Sequence, residues 1–100
     1  MMDRDLAEHS AEILKAIAHP IRLQVIELLR HGEMCVGDIV NELGEKQAIT
    51  SQQLNIMKNK GIVVCRREGA KVFYRIGNEN VIKVLDCVYD HCKAETRSKK

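Results

Sequence analysis

Aromatic residues are nearly missing from this chain. Phe73, Tyr74 and Tyr89 are the only three, and there is no tryptophan. Aliphatic side chains must therefore fill the core, which suits helices better than a sandwich of sheets. No uncharged apolar run approaches the ~20 residues that a membrane span needs. The N-terminal stretch "MMDRDLAEHSAE" is acidic and interrupted, unlike a signal peptide, so the expected compartment is the cytoplasm. The four cysteines, at 35, 65, 87 and 92, show no C-x-x-C spacing. A zinc ribbon is thereby excluded, and a reducing compartment argues against a disulfide framework; the cysteines read as thiols, ligands or redox groups. No Ser/His/Asp arrangement and no Gly-rich phosphate loop suggests catalysis, so no enzyme is expected.

What is present is the balance of a folded protein, with 45% hydrophobic and 30% charged residues in a chain of 100. That length makes one domain, residues 1–100, of a size that often shares its core with a second copy. The net charge of +2 conceals an asymmetry. Residues 1–45 carry 4 basic and 9 acidic side chains, whereas residues 46–75 carry 7 basic and 1 acidic. Such a concentrated positive block in the middle of the chain points to a polyanion as partner.

Helical periodicity places Leu6, Ser10, Ile13, Leu14 and Ile17 on one face of a first helix from about Asp3 to Ala18. Pro20 suits the first position of a second helix, reaching about His31, with Ile21, Val25, Ile26 and Leu29 inward. A short third helix runs from about Val36 to Leu43 and a fourth from about Lys46 to Lys60; Gly44 and Gly61 stop them. "IVVCRRE" and "KVFYRI", separated by "EGA", then read as a β-hairpin. A last helix follows from about Asn78 to Ala94, with a stripe of Val81, Leu85, Val88 and Cys92, and "ETRSKK" reads as a frayed tail. The fold class expected is mainly α with a small β-hairpin, a winged helix-turn-helix in the order α-α-α-α-β-β-α. Its helix-turn-helix spans about 36–60, its wing about 62–76 and its last helix about 78–94. The first and last helices carry more apolar surface than so small a core can cover, so they are expected to pair in a homodimer.

The fourth helix reads "KQAITSQQLNIMKNK". Thr50, Leu54 and Met57 are spaced to face the core, which leaves Gln47, Ala48, Ser51, Gln52 and Asn55 outward. Amides, hydroxyls and a methyl with few charges are what base-edge readout uses. Lys58 and Lys60 at the helix end, with Arg66, Arg67 and Lys71 around the hairpin, are cations suited to phosphates. A solvated polar helix beside a solvated hairpin is the bland alternative. The order of elements and the basic block favour double-stranded DNA.

The stretches "ILKAIAHPIRLQVIELL", "GEMCVGDIVNELG" and "TSQQLNIMKNKGIVVCRREGAKVFYRI" together resemble the ArsR/SmtB family of bacterial winged-helix repressors. The resemblance implies a homodimer on a near-palindromic operator, released when a metal, metalloid or reactive sulfur species binds. At one position of the recognition helix, where the family often has "SQHL", this chain has Gln53 in place of the histidine.

The start of the third helix, "GEMCVGDI", puts Cys35 where a helix cap belongs, although a thiol caps poorly. Metal-sensing relatives often carry "ELCVCDL" there, so the resemblance makes Cys35 half of a thiolate pair whose second cysteine is Gly37. Arsenite or a soft metal ion prefers several sulfurs. Cys87 or Cys92 would have to contribute, from the same subunit or the other, and Cys87, one turn before His91, could share a ligand with it. The last-helix zinc site of the family would fall on Asn78, Asn80, His91 and Ala94; His91 alone keeps a ligand, so no zinc site of that type is expected. The sulfide-sensor pair would need a cysteine near Glu27, so it too looks incomplete. A cap position left by drift, a packed Cys92 and a surface Cys87–His91 neighbourhood are the competing structural roles. Cys65, within a strand, reads as packing. The expected function is a dimeric repressor released by a thiophilic metal or metalloid at cysteine. A redox-responsive regulator, a regulator without small-molecule effector, and a small thiol enzyme or metal carrier are the alternatives.

Overall fold

The computed structural model describes residues 2–98, with the side chains of residues 2–95. Five helices and three strands follow one another as α1 (Arg4–Ile17), α2 (Pro20–Leu29), β1 (Met34–Cys35), α3 (Val36–Leu43), α4 (Gln47–Asn59), β2 (Val63–Glu68), β3 (Lys71–Ile76) and α5 (Asn80–Ser98). This is the expected winged helix-turn-helix with one addition. The hairpin gains a third antiparallel strand, so the sheet order is β1-β3-β2. Met34 pairs with Tyr74 and Cys35 with Phe73. Two residues are too few to show an alternation, so periodicity alone misses the strand.

Local chemistry sets the boundaries. Asp3 caps α1, its Oδ1 accepting from the Leu6 N–H at 2.7 Å. The His19 Nδ1 accepts from the Ile21 N–H at 3.1 Å, and Pro20 fills the first turn of α2. That helix stops at Leu29, two residues earlier than the spacing suggests. α4 ends in a Schellman motif. Gly61 takes φ 74°, Ile62 donates to Met57 O at 2.9 Å and Gly61 to Lys58 O at 3.0 Å. Ile62 and Met57, the two apolar partners of that motif, are both fully buried. α5 continues through Ser98, so residues 95–98 extend the helix where a frayed tail was expected. Lys99 and Lys100 lie outside the described residues.

The core gathers around α2. Val25, Ile26, Ile39, Leu54, Met57, Ile62 and Val63 have no solvent exposure, and Val81 and Leu85 of α5 close over them. Gly77 allows the chain to turn from β3 into α5. A Cβ there would lie 3.0 Å from Gly61 O and 3.1 Å from Val64 Cγ1. An Arg30–Asp86 pair, at 2.5 and 3.0 Å, ties α5 to α2.

Two apolar stripes are only half used. Ile17 is buried, but Leu6 and Leu14 on the same helix are each 52% exposed. On α5, Val81 and Leu85 are buried, whereas Val88 is 51% exposed, with Val84, Tyr89 and Cys92 also open to solvent. No helix among the described residues is long and apolar enough to cross a membrane.

Candidate nucleic-acid interface

α4 divides cleanly into two faces. Thr50, Gln53, Leu54 and Met57 are buried. Gln47, Ala48, Ser51, Gln52, Asn55 and Lys58 are all exposed, so the five side chains singled out for base readout share the solvent face with Lys58. Neither Lys46 nor any other side chain caps this helix, leaving its first N–H groups open.

Gln53 belongs to the core instead. Its Oε1 accepts from Arg22 Nε at 2.7 Å, and the same guanidinium reaches the carbonyl oxygens of Lys15 at 3.2 Å and Ala16 at 3.4 Å. One side chain thus joins the end of α1 to α2 and α4. The histidine-for-glutamine difference therefore falls on a buried strut, away from the outward face. Gln53 lies three residues after Thr50 and four before Met57, so the helical period already contained this placement.

The wing stands beside α4. Arg66 and Arg67 alternate onto opposite faces of β2. Arg67 pairs across the ladder with Val72, and Arg66 with Phe73. A groove of about 370 Å³ separates wing from helix. Its walls include Cys35 and Gly37 at the start of α3, Gln47 and Ser51 of α4, and Lys71 and Val72 of β3. Residues expected to touch DNA and the cysteine expected to sense an effector thus border one cleft.

Two of the cations suited to phosphates form ion pairs with carboxylates. Lys60 Nζ sits 3.1 Å from Glu12 Oε2, which bridges the end of α4 to α1 and holds the Glu12 carboxyl below its usual range. Arg66 is more strongly engaged. Its Nε and Nη2 reach both oxygens of Glu33 at 2.9 and 2.7 Å, and its Nη1 reaches Glu68 at 2.7 Å. Its guanidinium also stacks 4.6 Å from the Phe73 ring centroid. The hydrogen bond from Arg66 holds the Glu33 carboxyl below its usual range and, reciprocally, pushes the guanidinium up. Lys58, Arg67 and Lys71 are exposed, as are Lys60 and Arg66.

The cysteines do not converge within the chain. Cys35 is 9% exposed and occupies the cap position of α3, with no side-chain hydrogen bond to the first turn. Cys87 and Cys92 are exposed on α5, a helix that packs on α2. His91 is exposed and pairs with Glu95 at 3.1 Å. Among the described residues no three His, Cys, Asp or Glu side chains lie close enough to hold a metal ion. Cys65 is half-buried opposite Tyr74, whose phenol is pushed up by burial and then by the neighbouring thiol. At the position of the last-helix zinc site, Asn78 Oδ1 accepts from the Asn80 N–H at 3.1 Å, a helix-start contact.

The profile described as "Bacterial regulatory protein, arsR family" matches residues 19–64, from α2 into β2. An uncharacterised HTH-type transcriptional regulator of Methanocaldococcus jannaschii is 43% identical over 82 residues, covering 81% of this chain and 92% of that one. The chain belongs to the ArsR family. As in that family generally, it is a DNA-binding transcriptional regulator and not an enzyme. The biofilm growth-associated repressor of Agrobacterium fabrum is 36% identical over 83 residues, 83% of this chain and 71% of the repressor. The fold is shared with the homodimeric winged helix-turn-helix DNA-binding domain of a possible ArsR-family regulator from Mycobacterium bovis. That solution structure superposes with a TM-score of 0.81 at 32% identity, covering 98% of this chain and 93% of the other.

Proposed function

We propose that this ArsR-family chain is a homodimeric repressor that reads a near-palindromic operator with α4 and its wing. The observation that carries the reading is the two-faced α4, with every polar readout candidate on the solvent side and a basic wing across a groove. Gln47, Gln52 and Asn55 would pair with base edges, Ser51 would hydrogen-bond and Ala48 would meet a thymine methyl. Lys58, Arg67 and Lys71 would bind phosphates and fix the register. The half-covered stripes of α1 and α5 would meet their copies across a two-fold axis, setting two α4 helices about 34 Å apart in successive major grooves.

The test is selection of a binding duplex from a randomised pool, followed by affinity measurements over a range of salt. Gln52→Ala should cost about 1–3 kcal/mol on the selected site and relax the preference there. Lys71→Gln should weaken all sequences alike and reduce the salt slope by about 0.9 per contact. A wild-type protein without affinity for any duplex at low salt would overturn the proposal.

A thiophilic metal or metalloid acting at cysteine remains the proposed release signal, with thiol oxidation as the second reading. Among the described residues one chain offers no group of three His, Cys, Asp or Glu side chains that could hold a metal ion. Cys87, His91 and Cys92 lie on the helix whose open face would meet the partner, so further donors could come only from the second subunit. Cys35 borders the groove between α4 and wing, where a bound group would compete with DNA for space. Arsenite, cadmium and a mild oxidant titrated against the DNA complex test this. Unchanged release in Cys35→Ser, Cys87→Ser and Cys92→Ser would remove the thiol from the mechanism.

A further inference from the structure

The wing holds a charge cluster that the DNA reading does not use. In the sheet order β1-β3-β2, Glu33 precedes one outer strand and Arg66 lies on the other. The guanidinium crosses over Phe73 of the central strand, 4.6 Å from its centroid, to grip both Glu33 oxygens. Its remaining donor side meets Glu68 at 2.7 Å. We infer that Arg66 is a positioning residue that staples the three strands together and sets the wing against the start of α3, instead of reaching a phosphate.

Three observations support this. The Arg66 fork is already occupied by two carboxylates, Glu33 and Glu68, so a phosphate would have to displace one of them to reach it. β1 has only two residues, too few to stay paired on ladder bonds alone, and its last residue, Cys35, is the cap of α3. Fixing Glu33 therefore fixes both the strand and the helix start beside the groove. Isolated surface ion pairs contribute little, but a two-pronged arginine grip within a network of charges and an aromatic ring is the favourable exception. Lysine would not replace it, because it lacks the planar fork.

This inference rests on the DNA-binding proposal, and the test separates the two. Duplex affinity and its salt slope are measured for Glu33→Gln, Arg66→Lys, Arg66→Gln and the double variant Glu33→Gln/Arg66→Gln. Amide exchange of residues 66–73 is followed in the same proteins without DNA. A brace predicts weaker binding for every variant, roughly 2- to 30-fold, including Glu33→Gln although it removes a negative charge. It predicts a double variant no worse than the singles, an unchanged salt slope and faster exchange in the wing. A phosphate contact predicts the reverse. Glu33→Gln would then tighten binding, Arg66→Lys would bind as the wild type, and Arg66→Gln would reduce the slope by about 1.8 for the two contacts of a dimer. Either tighter binding by Glu33→Gln or wild-type behaviour of Arg66→Lys overturns the brace. Should the wild type bind no duplex, the DNA proposal falls, while wing exchange in Glu33→Gln and Arg66→Lys still decides the brace.

Discussion

Replacing Leu14 and Val88 by alanine should dismantle the proposed dimer while leaving the subunit folded. Burying a Leu side chain completely is worth about 2 kcal/mol, and a Val about 1.5. Leu14 is 52% exposed in the single chain and Val88 51%, so roughly half of each gain is still available to a partner. That leaves about 1 kcal/mol for Leu14 and about 0.75 for Val88. A two-fold interface contains each residue twice, so the double variant Leu14→Ala/Val88→Ala should lose about 3.5 kcal/mol of association. The dimer dissociation constant should rise several hundredfold, at about 1.4 kcal/mol per decade. Sedimentation equilibrium over a concentration series measures it directly. Thermal unfolding of the wild type above its dissociation constant should depend on concentration, and the variant should lose that dependence below its own raised constant. The reasoning would be refuted by an unchanged dimer constant in the double variant, or by a wild type that stays monomeric at micromolar concentration.

Gly77→Ala should destabilise the fold by about 1–3 kcal/mol, because its methyl meets Gly61 O at 3.0 Å and Val64 Cγ1 at 3.1 Å; thermal unfolding reads it. Cys35→Ser should raise stability by about 0.5–1 kcal/mol, since Cys35 already has cap geometry (φ −79°, ψ 158°) and lacks only an accepting oxygen; a lower melting temperature would mean that the thiol's packing matters more. The carboxyls of Glu12, hydrogen-bonded to Lys60, and Asp86, hydrogen-bonded to Arg30, are held below their ordinary values of 4.5 and 3.8. Their contribution to stability is complete above those values and is lost as pH falls through the lowered ones. Asp86→Asn should therefore lose less melting temperature than the wild type between pH 5 and pH 3, each measured against its own value at pH 7.

Much of the architecture was legible because it rests on short-range rules. The start of α1 at Asp3, Pro20 in the first turn of α2, the stop at Gly61 and the change of period at Ile62 each depend on residues a few positions apart. The two faces of α4 follow from its 3.6-residue turn, which is why Gln47, Ala48, Ser51, Gln52, Asn55 and Lys58 all proved exposed. The same period placed Gln53 inward, although its place in the recognition motif drew attention to DNA. Partners distant in sequence leave no such trace. Arg22 and Gln53 are 31 positions apart, Arg66 and Glu33 are 33, and Arg30 and Asp86 are 56.

The sequence by itself determined the winged helix-turn-helix, the basic block and the outward polar face of α4, since periodicity, capping and charge order are properties of the chain read locally. Only the tertiary structure decided what those residues are free to do. It paired Arg66 with Glu33 and Lys60 with Glu12, and it left Leu14 and Val88 uncovered. Cys35 came to border the groove between α4 and the wing, apart from the α5 thiols. Such outcomes depend on which surfaces meet after the chain has closed on itself, and contact across tens of residues is fixed by packing, not by spacing.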